Sequence, residues 1–128
     1  MRILALDAGA ARCGCAVCDP TETVVTPLEA VRRPDTKRGL DTLARLVRER
    51  EIEQIVVGLP LTMRGEEGDQ ARWTRRFAAR LAARVDVPVV MHDERLTTRQ
   101  AEREGGTSDA DSRAAAHLLE AFLAAAAR

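Results

Sequence analysis

The chain has 128 residues, 20 basic against 20 acidic side chains, and is 45% hydrophobic. That length suits one domain, residues 1–128, which buries about two-thirds of the surface its unfolded chain would expose. The balanced charge names no partner. No apolar run reaches the roughly 20 residues of a membrane span, and Met1–Arg2 leads straight into a strand-like run with no signal peptide ahead of it. A cytoplasmic protein with no membrane partner is expected.

Ile3–Leu6 reads as a buried strand ending on Asp7, and a turn around Gly9 leads into a second strand, Cys13–Cys18. The odd number and close spacing of Cys13, Cys15 and Cys18 argue for a reducing compartment, and no fourth ligand lies nearby to complete a zinc site. Cysteines alternating on a strand pack as small hydrophobes. Val24–Val31 is expected to be an edge strand that tolerates Pro27.

Leu40, Leu43, Leu46 and Val47 give Thr36–Arg50 helical spacing. Ile52–Leu59 is apolar and β-branched, a central strand ended by Gly58 and Pro60. A polar loop, Leu61–Gly68, precedes a helix over Gln70–Arg84 that Asp69 is expected to cap, with Trp73, Phe77 and Leu81 on one stripe. Val87–Met91 is a further strand, Thr97 to Gln100 fits a capping box opening a short helix that Gly105–Gly106 ends, and Ser108–Arg128 is a final helix. Three meandering strands followed by strand–helix alternation predict an α/β fold: a mixed five-stranded sheet with helices on both faces.

Three acids stand out by position. Asp7 and Glu94 follow apolar strands, at the carboxyl ends where open α/β sheets gather ligands. Asp111 shares a helical face with Ala115, Leu118, Leu119 and Phe122, so it turns toward the sheet. Carboxylates gathered at one edge repel, and divalent cations relieve that repulsion. Mg²⁺ and Mn²⁺ prefer oxygen ligands, and two such ions about 3.5–4 Å apart serve phosphodiester hydrolysis. Asp93 and Asp109 are the neighbouring, more solvated acids. Lys37 is the only lysine; every other basic side chain counted above is Arg, whose fork suits phosphate oxygens. Arg72, Arg75, Arg76 and Arg80 form a stripe that a solvated helix face explains equally.

The segments Leu6-Asp7-Ala8-Gly9-Ala10-Ala11-Arg12-Cys13-Gly14, Val56-Val57-Gly58-Leu59-Pro60 and Asp93-Glu94-Arg95-Leu96-Thr97-Thr98, with Asp111 ahead of Ala114-Ala115 and Leu118-Leu119, resemble the YqgF (RuvX) family over nearly the whole chain. The resemblance implies a ribonuclease-H-like fold related to the RuvC Holliday-junction resolvases. It implies a metal-dependent nuclease acting on structured RNA, assigned to maturing the 5′ end of pre-16S ribosomal RNA, with branched or single-stranded DNA as the alternative substrate. It maps the catalytic and metal-binding triad onto Asp7, Glu94 and Asp111, with Mg²⁺ or Mn²⁺ as cofactor. Arg12, Arg64 and Arg95 become the expected substrate contacts.

The sequence departs from the family after Asp7. There Ala8, Ala10 and Ala11 stand where an aromatic and a Gly-Thr-Lys run are usual. It departs again at Ala101–Ala110, which replaces a longer basic segment. Two other classes stay open: a nucleotide-binding module, since Asp7-x-Gly9 also resembles the first phosphate loop of sugar kinases, and a scaffold that keeps the fold without activity.

Overall fold

The computed structural model describes residues 1–95 and 110–127. Its five strands are β1 (Ile3–Ala8), β2 (Arg12–Cys18), β3 (Val25–Arg32), β4 (Gln54–Leu59) and β5 (Val89–Asp93). Its helices are α1 (Lys37–Glu49), α2 (Asp69–Ala82) and α3 (Ala110–Ala126). The predicted short helix at Thr97–Gly106, and Asp109 with it, lies outside the described residues. Among the described residues no helix is long and apolar enough to cross a membrane.

The strands form one mixed sheet in the order β3-β2-β1-β4-β5. β1, β2 and β3 meander antiparallel, while β4 and β5 join β1 in parallel. Parallel neighbours need crossovers, and α1 and α2 supply them. Both pack on one face, where Leu40, Leu43, Val47, Phe77 and Leu81 meet Leu4, Leu6, Cys13, Cys15, Ile55 and Val57. The other face belongs to α3, through Leu118 and Leu119 against Ile3, Ala5, Cys18 and Val56. Cys13 and Cys15 therefore face away from Cys18, and the three thiols cannot share one tetrahedral ion.

Several element boundaries differ from the sequence expectation for identifiable reasons. Asp69 does not cap α2: Gly68 is the capping residue, without a side-chain bond, and Asp69 begins the helix with an ion pair to Arg72. Thr36 does cap α1, its hydroxyl accepting from the Gly39 amide at 3.1 Å. β5 begins later and runs further than its apolar run suggests. Its ladder with β4 pairs Ile55 with Val89 and continues to Leu59 with Asp93. Backbone pairing thus carries two polar residues, His92 and Asp93, into the strand. The Leu61–Gly68 loop holds one antiparallel bridge, Leu61 to Glu67, and a left-handed Gly65 at φ 82°.

Candidate active site

Side chains alternate along each strand, so the residues on the α3 face can be read from the ladder. Ile3 and Ala5 face α3, and Asp7 follows them on β1. Gly14 stands directly opposite Asp7 on β2. On β4, Val56 faces α3 and Gly58 follows it, one step beyond the Leu6–Val57 pair. Asp7 is thus flanked on both neighbouring strands by glycine.

Each glycine admits one further acid. A β-carbon on Gly14 would lie 1.8 Å from the backbone oxygen of Asp111, so α3 reaches the sheet there only because the side chain is absent. Ser112 fixes the approach: it is buried, and its hydroxyl accepts from the Cys15 amide at 3.3 Å, beside the register shift between Cys13 and Cys15. A β-carbon on Gly58 would lie 2.2 Å from Glu94 Oε2. Glu94 therefore folds back from the end of β5 over Gly58 and lies 8% exposed.

Asp7 and Glu94 meet in a hydrogen bond in which protonated Glu94 donates to the Asp7 carboxylate. Burial, together with the negative charge of Asp7, pushes Glu94 up to about 8. Burial also raises Asp7, with the charge of Asp111 adding to the rise. A buried carboxyl and a half-buried one that share a proton at neutral pH are a stored electrostatic cost, and a divalent cation can take the proton's place. The donors are hard oxygens, which suit Mg²⁺ or Mn²⁺. This pair fits such an ion.

The third acid is close without joining them. Among the described residues no three His, Cys, Asp or Glu side chains are gathered tightly enough to hold one ion. Asp111 instead binds Arg12, with Nε 2.9 Å from Oδ2.

The other expected substrate contacts are differently disposed. Arg95 forks onto Asp93, at 2.6 Å and 2.9 Å to Oδ2, and donates to the Met63 carbonyl at 3.3 Å. That ion pair holds Asp93 below the usual carboxylate range and ties the end of β5 to the Leu61–Gly68 loop. Arg64 lies exposed in the same loop. In the helical stripe, Arg75 binds Glu67 at 2.6 Å, Arg72 binds Asp69, and Arg80 reaches the Asp35 carbonyl. Those three arginines are held by local partners, as a solvated face would be.

A mixed sheet of this order, with carboxyls at the β1 and β5 ends and a helix closing over them, is the ribonuclease-H-like architecture. Two solved structures share it across the whole chain. Thermus thermophilus RuvC in complex with a Holliday junction superposes with a TM-score of 0.65 at 20% identity, covering 99% of this chain and 96% of that one. The Fowlpox virus resolvase with Holliday junction DNA gives 0.64 at 12% identity, covering 100% of both. These establish the fold.

The family follows from sequence. The model described as "RuvX: Holliday junction resolvase" matches residues 1–125. A protein of Chloroflexus aurantiacus named "Putative pre-16S rRNA nuclease" is 46% identical over 101 residues, which are 79% of this chain and 66% of that protein. The match thus spans just under two-thirds of that relative. One of the same name from Anaeromyxobacter is 43% identical over 132 residues, covering 96% of each. The chain belongs to the RuvX family.

Proposed function

We propose that this chain is a divalent-metal-dependent nuclease that hydrolyses phosphodiester bonds in structured nucleic acid in the cytoplasm, with the 5′ end of pre-16S ribosomal RNA as its substrate. The observation that carries this reading is the proton-sharing pair Asp7–Glu94, set at the carboxyl ends of β1 and β5 with Asp111 within electrostatic reach. Asp7 and Glu94 would hold Mg²⁺ or Mn²⁺, and Asp111 would complete a two-ion set with substrate. When bound, such ions supply an activated water and neutralise charge on the leaving oxygen.

The protein's own contribution is placement. β1 is the central strand and holds Asp7, while Glu94 follows the edge strand β5 and is tied to β4 by its amide, which donates to the Leu59 carbonyl at 3.4 Å. The Gly58 notch and burial keep bulk water from Glu94. Arg12, Arg64 and Arg95 are the substrate side chains in this reading, and Arg95 would orient the loop that carries Arg64 through its bond to Met63. The substrate itself comes from the name that the relatives carry. Branched DNA is the second reading, favoured by the description of the family model.

The test is cleavage of a pre-16S 5′ fragment and of a four-way DNA junction, in Mn²⁺, Mg²⁺ or EDTA. RNA is expected to be cut with either metal and spared in EDTA. Asp7→Asn and Glu94→Gln are each expected to lose at least about a hundredfold in rate, since even groups that merely orient metal ligands are worth about 10- to 100-fold. Cutting that persists unchanged in both variants would remove the assignment. Cutting of the junction alone would transfer it to DNA.

A further inference from the structure

Arg12 stands between two demands. Across the β2–β3 ladder its partner in register is Arg32, a like charge directly opposite. Toward α3 it meets Asp111 at 2.9 Å. The contact needs Gly14, since that residue lets the first turn of α3 descend to the β2 edge. Arg12 thus neutralises the one acid of the three that does not share the Asp7–Glu94 proton.

We infer that Arg12 is a displaceable latch: it occupies Asp111 while no cation is bound, and on release it turns to a substrate phosphate beside Arg32. Arg12 would thereby set both the affinity for the cation that needs Asp111 and the grip on nucleic acid that follows. The inference rests on the nuclease reading above and adds to it a competition between two of the chain's own groups.

The energetics suit a latch. The side chains are 65% and 36% exposed for Arg12 and Asp111. Ion pairs this open are weak, so the pair holds Asp111 without locking it. A buried Arg–Asp pair would exclude the cation altogether, because separating it would strand an uncompensated charge. Once a cation takes the carboxylate, Arg12 is left facing Arg32, and a bridging phosphate relieves that repulsion. Arg forks match phosphate oxygens. Cation and phosphate then arrive cooperatively: each removes one partner from the same exposed pair.

The test is calorimetric titration of Mn²⁺ into the wild type, Arg12→Gln, Arg12→Lys, Arg32→Gln and Asp7→Asn. Arg12→Gln is expected to bind Mn²⁺ about two- to fivefold more tightly, the range an exposed ion pair supports. Arg12→Lys keeps the charge but loses the Nε contact, and is expected to fall between wild type and Arg12→Gln. Arg32→Gln should bind like wild type. A companion measurement is the affinity for uncut RNA with Ca²⁺ or EDTA. Arg12→Gln is expected to weaken binding in Ca²⁺ and to change it little in EDTA.

Equal Mn²⁺ affinity in wild type and Arg12→Gln, with binding lost in Asp7→Asn, would overturn the latch and leave the nuclease reading standing. Tightening in Arg32→Gln as large as in Arg12→Gln would also overturn it, in favour of a general field effect. Absence of Mn²⁺ binding in the wild type would overturn both.

Discussion

A proton shared by Asp7 and Glu94 makes this pair's contribution to the stability of the metal-free protein fall as pH rises. The ordinary value for Glu is 4.5, and in the fold it is pushed up to about 8. Between those values the folded state keeps a proton that the unfolded chain has lost, so this group's contribution to stability falls as pH rises and levels off above about 8. Asp7, also raised, acts in the same direction. The melting temperature in EDTA is expected to carry a falling contribution from this pair between about pH 4.5 and 8, and Glu94→Gln should remove much of it. A slope unchanged in Glu94→Gln would show that the proton sits elsewhere. Metal binding displaces the same proton, so Mn²⁺ affinity should rise over this interval. At this scale the sequence was informative about identity and less so about state. An acid ending an apolar strand is visible in Asp7 and Glu94, and the helical face of Asp111 is visible from its apolar neighbours. The Arg12–Asp111 pair is not, because it joins residues far apart along the chain through a turn and a helix start.

The elements meet at two notches, and their glycines divide the labour. Gly14→Ala places a β-carbon 1.8 Å from the backbone of Asp111, and backbone in a helix start has little room to yield. It should push α3 off β2 and cost about 1–3 kcal/mol, the range for overpacking a core. Gly58→Ala meets a side-chain tip instead, Glu94 Oε2 at 2.2 Å, with Leu118 at 3.2 Å behind it. It should keep the fold and lose activity, because Glu94 must swing away from Asp7. Urea denaturation beside cleavage rates separates the two. Gly14→Ala with unaltered stability, or Gly58→Ala with full activity, would contradict this division. Ser112→Ala leaves the Cys15 amide without its acceptor, and a loss of about 1–3 kcal/mol is expected in the same denaturation. The elements themselves were legible: strands from apolar β-branched runs, helices from their 3.6-residue stripes. The glycine notches were not. Gly58 reads locally as a strand end, and nothing near it in sequence announces a carboxylate arriving from β5. The position of β5 escaped for a related reason, since His92 and Asp93 gain strand structure from the β4 ladder rather than from their own propensity.

At the scale of the molecule, the mixed sheet brings Asp7 and Glu94 together from distant parts of the chain and sets Asp111 within electrostatic reach of Asp7. The order of meander and alternation was enough to predict that sheet, because antiparallel neighbours follow short turns and parallel neighbours demand helices. Its candidate site was legible through the acids, and the proposed substrate only through resemblance, because net charge is zero and the arginine stripe on α2 is largely occupied by neighbouring partners. The central claim, that Asp7, Glu94 and Asp111 together hold divalent cations, is tested most directly by the Mn²⁺-induced change in melting temperature. Wild type in saturating Mn²⁺ is expected to melt roughly 8–12 °C above its value in EDTA, as binding at about a hundredfold over Kd stabilises by about 2.7 kcal/mol. Asp7→Asn and Glu94→Gln should show little rise, and Asp111→Asn a reduced one. A rise of the same size in all three variants would mean that the metal binds elsewhere, and that these carboxyls are not its ligands.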